Sequence, residues 1–275
     1  MKEVLTALNA FQNPDGGFGR ALEMDMRSPS SSALATAIGL HTLCDLDRPA
    51  EEPMVRRAVA YLLATYQEGA GVWRVAPLDV NSYPHAPWWH DQEGSLERTF
   101  DGFRIIPRAL VLAGLHHYSS LVPVDLLDRM TEETVECIES EKDLGSGGGS
   151  DLEYVIALAE TRGLPERWRG RLESRVREVV PVAVVGDPER WNTYCLSPLR
   201  IIDTPETLGA ELIADKVQIH LNHQIENQSE EGTWDPVWSW AGAYPDDWAR
   251  ARLEWRGHLT LRTLMQLRAF RRMEE

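Results

Sequence analysis

Hydrophobic residues recur every three or four positions along most of this chain, which is the spacing that places them on one face of an α-helix. The pattern predicts helices over residues 31–46, 51–67, 104–121, 123–139, 151–163, 164–180, 211–228 and 245–273. No segment alternates apolar and polar residues convincingly with a period of two. The apolar run 179–185 fits a strand or the buried end of a helix equally well. The pattern therefore predicts an all-α fold.

One turn pattern recurs along the chain, with a glutamine four positions before a glycine and six positions before an aromatic residue. Its clear copies are Gln12/Gly16/Phe18, Gln67/Gly71/Trp73 and Gln228/Gly232/Trp234. We expect the glycine to reverse the chain with a positive φ. We also expect the glutamine amide to bond backbone groups at the start of the next helix, and the aromatic ring to stack on that amide. Each turn is thus interpreted as a joint between consecutive helices.

The spacing of these turns indicates a repeat of about 50 residues built from two helices, which is typical of arrays that stack or close on themselves. Residues 186–198 keep a glycine and a tryptophan but lack the glutamine, and residues 142–151 fit a more degenerate copy. Within the latter, the Gly/Ser-rich stretch 145–150 fits either a worn repeat or an engineered linker in place of a loop.

The turn pattern resembles the QW repeat of squalene–hopene and oxidosqualene cyclases, which protein prenyltransferase β subunits share more loosely. The resemblance implies one α/α-toroid domain over residues 1–275, with roughly five to six helical hairpins around a central cavity. It also implies a terpenoid-cyclase-like enzyme that acts on a hydrophobic, isoprenoid-derived substrate. Pectate lyases and glycosidases on related helical barrels carry similar turns, so the resemblance is more specific for the fold than for the chemistry.

The acidic and zinc-binding motifs of those enzymes do not occur in this sequence. The alkene-protonating DxDD motif has no match, since Tyr244 takes the first position of residues 244–247. The DDxxD motif for magnesium and diphosphate fails because the segment that begins at Asp246 ends in Arg250. Neither an Asp-x-Cys pair nor a neighbouring Cys-His pair for zinc is found. We therefore expect a metal-independent enzyme without a cofactor, whose proton donor lies outside these motifs.

Aromatic and polar residues are concentrated in two loops that follow repeated turns, 76–94 and 234–248. In a toroid such loops lead into inner helices and border the cavity. Electron-rich ring faces there suit a polyprenyl chain, a developing carbocation or the face of a sugar. The predicted substrate-binding residues are Tyr83, Trp88, Trp89, Trp238, Trp240 and Tyr244.

The acid–base candidates come from the same part of the sequence, and the predicted catalytic residues are Asp79, His85, Asp101 and Asp235. An aspartic acid that burial keeps protonated could protonate an alkene, whereas Asp79 with His85 suits hydrolysis. A purely structural alternative is that tryptophans and prolines stiffen long loops while the aspartates cap helices.

Composition narrows the choice of partner and location. The net charge of −15 argues against binding to nucleic acid or to an anionic lipid surface, both of which select basic patches. No apolar run is long enough to span a membrane, and the N-terminus lacks the features of a secretion signal. The 3 cysteines lie far apart without a CxxC motif, which fits a reducing cytoplasm. A small hydrophobic molecule is the expected partner.

Two further hypotheses stand beside the terpenoid cyclase. One is a helical-barrel glycoside hydrolase or polysaccharide lyase that uses loop carboxylates or histidines. The other is a binding toroid that has lost catalysis. A deep apolar cavity with an isolated acid favours the first hypothesis, a polar groove with two carboxylates favours the second, and a cavity filled by its own side chains favours the third.

Overall fold

A computed structural model describes residues 2–98, 103–146 and 150–273, and these residues form helices and turns without a β-strand. The α-helices are α1 (Lys2–Asn9), α2 (Ala33–Asp45), α3 (Pro53–Thr65), α4 (Ser95–Arg98), α5 (Arg108–His117), α6 (Val124–Ser140), α7 (Ser150–Glu160), α8 (Glu166–Ala183), α9 (Pro198–Ile201), α10 (Ala214–Glu226) and α11 (Pro245–Ala269). The all-α prediction is confirmed. No helix among the described residues is both long and apolar enough to cross a membrane.

The predicted helices are present, and their ends follow local chemistry. Ser32 caps α2 by accepting a hydrogen bond from the backbone of Ala35. Helix α5 begins later than predicted, directly after Pro107, where a residue without an N–H group is tolerated. Helix α8 continues through Pro181 to Ala183, so the ambiguous run 179–185 is the end of a helix. Residues 147–149 of the Gly/Ser-rich stretch lie outside the described residues.

The helices pack in two rows. One row contains α2, α5, α7 and α9, in which each helix contacts the next. The other contains α3, α6, α8 and α10, and each of these packs on the helix that precedes it in the first row. Fully buried leucines fill the space between the rows, among them Leu40, Leu62 and Leu112. Burial of this apolar surface is the main force that holds the two rows together.

The repeated turns have the expected backbone, since Gly16, Gly71 and Gly232 have φ values of 92°, 66° and 77°. The predicted role of the glutamine needs adjustment. The Gln12 Nε2 atom donates to the carbonyl oxygen of Gly16 at 2.9 Å, and Gln228 makes the same bond to Gly232 at 3.0 Å. The amide therefore closes its own turn in these two copies. Gln12 alone reaches further, because its Nε2 atom also donates to the carbonyl of Met54 at 3.0 Å.

The tryptophans of two turns join the turn to the preceding helix through their N–H groups. Trp73 donates to the carbonyl of Leu62 at 2.7 Å, and Trp234 donates to the carbonyl of Gln224 at 2.9 Å. Both carbonyls belong to the last helical turn, where backbone oxygens have no partner within the helix. The joint is therefore a hydrogen bond to a helix end. In the first copy Phe18 takes this position and lies fully buried.

Residues 240, 254 and 255 in the C-terminal part of the chain contact the loop that precedes α2. Trp240 and Trp255 donate to the carboxylate of Asp25 in this loop. Arg27, on the same loop, makes two bonds to the carboxylate of Glu254 on α11. Helix α11 is thereby held opposite the row formed by α2, α5 and α7.

Candidate functional site

A cavity of about 2160 Å³ lies between α11 and the row of α2, α5 and α7. One end is mainly apolar and includes Leu34, Ile38, Trp88, Phe103 and Ile106. The other end carries charged side chains. There Arg262 is paired with Glu153 at 2.7 Å and with Asp203 at 3.0 Å, so much of that charge is neutralised internally. The cavity thus offers an apolar surface and a polar one to the same ligand.

Glu23 lines the apolar end of the cavity and is 7% exposed. Its Oε1 atom accepts hydrogen bonds from the Trp89 indole at 3.2 Å and from the backbone N–H of Asp25 at 3.3 Å. Its other oxygen, Oε2, makes no well-formed hydrogen bond to a described residue, although the backbone N–H of Met24 lies close enough to the carboxyl group to favour its charged form. Burial raises the pKa of Glu23 to about 8, and the negative charge of Asp25 adds to this rise. Near neutral pH the carboxyl group therefore keeps its proton, which Oε2 can carry.

Asp25 is the second acid of the site and also lines the cavity. Burial raises the pKa of its carboxyl group, while the indole N–H groups of tryptophans oppose that rise. The Oδ1 atom accepts from Trp240 at 2.8 Å and from Trp255 at 2.9 Å. The indole N–H of Trp238 is buried beside the same carboxylate without a well-formed bond. The indole donors favour the charged form of Asp25, and a negative charge on Asp25 raises the pKa of Glu23.

Backbone strain is concentrated in the loops that hold these acids. Arg20 and Ala21, just before Glu23, have φ values of 55° and 65°. Ala241 and Tyr244, just after Trp240, have φ values of 52° and 45°. Residues other than glycine avoid this left-handed region, and such strain is found most often at functional sites. The strained segments flank both sides of the Glu23–Asp25 pair.

The predicted substrate-binding residues divide into two groups. Trp88, Trp89 and Trp238 line the cavity. Trp240 is fully buried and contributes its N–H group to Asp25 rather than a ring face to the cavity. The two tyrosines are outside the cavity wall: Tyr244 is 42% exposed and lies beside the ring of His85, while Tyr83 offers its backbone carbonyl to the same histidine.

Asp79 and His85, two of the predicted acid–base residues, each bond to other groups of the protein. Asp79 accepts hydrogen bonds from Ser28 and Ser30 at 2.8 Å each, which joins two loops. His85 is buried, with its ring nitrogens bound to the Tyr83 carbonyl and to His90. None of these groups lines the cavity.

The remaining two predicted acids have different outcomes. Hydrogen bonds from Arg256 and then Arg252 hold the pKa of Asp235 below its usual range, so this carboxylate is ionised and does not suit a proton donor. Asp101 lies outside the described residues. Within residues 2–98, 103–146 and 150–273, no three His, Cys, Asp or Glu side chains are grouped in a way that suits a metal ion.

The Glu23–Asp25 pair was not predicted from the sequence, although a signal exists. Residues 22–26 read Leu-Glu-Met-Asp-Met, so two acids alternate with apolar residues directly after the first repeated turn. In an exposed loop there is no physical reason for apolar residues to alternate with acids in this way. The partners that identify the site, Trp89, Trp240 and Trp255, are remote in sequence.

Comparison with known proteins does not add to this assignment. No protein-family model, curated protein or solved structure matches the chain.

Proposed function

We propose that this chain is an enzyme in which Glu23 donates a proton to a hydrophobic, isoprenoid-type substrate held in the cavity. The observation that carries the proposal is a buried carboxyl group, with one oxygen that makes no well-formed hydrogen bond to a described residue, kept protonated near neutral pH in a cavity walled by Trp88, Trp89 and Phe103. A general acid with a pKa near the working pH is well matched to proton transfer.

The arrangement favours a reaction in which positive charge develops on the substrate. Breaking the Oε2–H bond of Glu23 transfers the proton to the substrate and leaves a carboxylate behind. The faces of Trp89 and Trp255 stabilise the cation that results. Loss of a proton from a neighbouring carbon of that cation to the Glu23–Asp25 pair restores the pair and leaves a rearranged or cyclised product. The sequence of steps consumes no oxidant or reductant.

The proposal includes a ring of helical hairpins, an α/α toroid, around the cavity. Its support is the double row of helices and the contacts of Asp25 and Arg27 that bring α11 back to the loop before α2. The protein is placed in the cytoplasm in the same proposal, since its cysteines Cys44, Cys137 and Cys195 are all free.

Glycoside hydrolysis is the second candidate, because the site contains two carboxyl groups and the cavity has a charged end. Hydrolases of this kind place their two carboxyl groups on opposite sides of the bond that breaks, about 5–10 Å apart. Glu23 and Asp25 instead come from one short stretch of chain, and the backbone of Asp25 bonds the Glu23 carboxyl directly. This geometry favours the first candidate.

The test is turnover by the purified protein. The wild type and Glu23→Gln are incubated with prenyl alcohols, prenyl diphosphates and aryl glycosides, and the products are analysed by mass spectrometry. We expect conversion of a prenyl compound by the wild type and a loss of at least about 100-fold in Glu23→Gln. Asp235→Asn is the matched control and should keep its activity, because its carboxylate bonds two arginines outside the cavity.

Three outcomes would contradict the proposal. Equal turnover by the wild type and Glu23→Gln would remove Glu23 as the proton donor. Turnover of glycosides alone would replace the first candidate by the second. Absence of any turnover would favour a binding protein without catalysis.

A further inference from the structure

Tyr154 on α7 is a second donor group at the acid pair that the proposed reaction does not yet use. Its side chain lines the cavity and packs against the same apolar cluster as Met26, Trp89 and Trp240. This cluster surrounds the segment that carries Glu23. Burial raises the pKa of the Tyr154 phenol, and the charges of Glu153 and Glu23 act in the same direction. The hydroxyl group is therefore a hydrogen-bond donor at any physiological pH.

The Tyr154 hydroxyl has no hydrogen-bond partner among the described residues. Because Tyr154 is half-buried and lines the cavity, a hydroxyl without a protein partner remains available to a ligand there. Glu23 lines the same cavity, and Trp89, which belongs to the apolar cluster that Tyr154 packs against, donates to its carboxyl group. Two side chains with donor groups thus line one cavity, and a hydrocarbon would offer an acceptor to neither.

We infer that the substrate carries an oxygen acceptor, such as a hydroxyl or carbonyl group, which Tyr154 and Glu23 bind together at the apolar end of the cavity. This inference rests on the proposed function and names the substrate class more closely. It also agrees with the chemistry, since a weak carboxylic acid transfers a proton to oxygen far more readily than to an isolated double bond. Tyr154 orients the oxygen and Glu23 protonates it.

The experiment measures binding, so that its result does not depend on turnover. The intrinsic fluorescence of the tryptophans that line the cavity reports titration with farnesol and with farnesene, which share a carbon skeleton and differ by the hydroxyl group. We expect the wild type to bind farnesol about three- to tenfold more tightly than farnesene, as one neutral hydrogen bond allows. In Tyr154→Phe this preference should fall towards unity, with the affinity for farnesene unchanged.

Tyr61→Phe is the matched control, because Tyr61 is a half-buried tyrosine that does not line the cavity. Loss of the Tyr154 hydroxyl should leave the fold intact, since no protein group bonds to it, and the thermal midpoint confirms this. Equal affinities of the wild type for the two probes, binding of neither probe, or a preference that persists in Tyr154→Phe would each overturn the inference. A preference that Tyr154→Phe abolishes, together with no turnover of any prenyl compound, would support the oxygen site and reject the catalytic proposal.

Discussion

The Nε1 atom of Trp255 lies 2.9 Å from the Oδ1 atom of Asp25, although the two residues are 230 positions apart in the sequence. Trp240 donates to the same oxygen at 2.8 Å. One carboxylate therefore ties the C-terminal helix to the loop that precedes α2. The same carboxylate supplies the negative charge that helps to keep Glu23 protonated. Asp25 thus contributes both to the attachment of α11 and to the raised pKa of Glu23.

The contribution of Glu23 to the stability of the wild type should fall as the pH rises from about 4.5 to about 8. The pKa of Glu23 rises from 4.5 to about 8 on folding, so the unfolded chain ionises in this range while the folded protein holds its proton. The stabilisation is complete below pH 4.5 and is lost on passing pH 8. In Glu23→Gln this decline should be smaller by roughly 2–5 kcal/mol, as measured by denaturant unfolding between pH 5 and pH 9.

The loss of stability at acid pH is the internal control for Glu23→Gln, because it does not depend on Glu23. Burial lowers the pKa of His116 to about 4 and that of His220 to about 3, so both proteins should lose stability alike as the pH falls below about 6. Parallel curves for the two proteins above pH 6 would show that Glu23 is not held protonated by the fold.

Trp255→Phe removes an indole donor from Asp25 while it keeps an aromatic ring in place. We expect the free energy of unfolding to fall by about 1–3 kcal/mol, because a hydrogen bond to a buried carboxyl group is lost. Trp248→Phe is the matched control for lost packing, because Trp248 packs on Trp240 with ring centroids 5.7 Å apart. Urea unfolding at pH 7 measures both. Equal losses in the two variants would assign the effect to packing rather than to the bond.

The glutamines of the first and last turns should contribute unequally to stability. Gln12 is buried, donates to Gly16 and Met54, and accepts from Arg57 at 3.1 Å. Gln228 is exposed and makes a single side-chain bond, to Gly232. We expect Gln12→Ala to lower the free energy of unfolding by about 2–4 kcal/mol and Gln228→Ala by less than about 1 kcal/mol. Similar losses in urea unfolding would contradict this difference.

Two glycines within helices should respond to alanine in opposite ways. A Cβ atom at Gly257 in α11 would contact nothing within 4 Å, so Gly257→Ala should stabilise the protein by about 0.5–1 kcal/mol through helix propensity. At Gly39 in α2 a Cβ atom would lie 2.8 Å from the buried ring of Phe18. Gly39→Ala should therefore destabilise the protein by about 1–3 kcal/mol. Thermal unfolding distinguishes the two signs, and a stabilised Gly39→Ala would show that Phe18 can move.

The predictions from sequence that are confirmed concern relationships within one helix or one turn. The helices between residues 31 and 269 follow from the spacing of apolar residues, and the positive φ of Gly16, Gly71 and Gly232 follows from the turn pattern. The stacking of the rings on the glutamine amides stays a prediction. The tryptophan N–H groups bond carbonyls at helix ends, which the spacing of residues within the turn does not predict.

The residues of the candidate site were harder to predict from the sequence than the helices and turns. Loops rich in tryptophan were predicted to border a cavity, and Trp88, Trp89 and Trp238 do line one. The sequence predicts the acids in those same loops, but there Asp79 bonds a serine and Asp235 bonds an arginine. The acids that face the cavity come from the loop before α2, which contains few aromatic residues. Proximity in the sequence to aromatic residues was a poor guide to burial of a carboxyl group.

By itself the sequence determined the helices and the reversal of the chain at each repeated turn, because both depend on interactions between residues a few positions apart. The tertiary structure decided which carboxyl group loses its contact with water and which N–H groups surround it. Trp89 and Glu23 are 66 positions apart, and Trp240 and Asp25 are 215 positions apart. A pKa depends on burial and on neighbouring charge, and both exist only after the helices have packed.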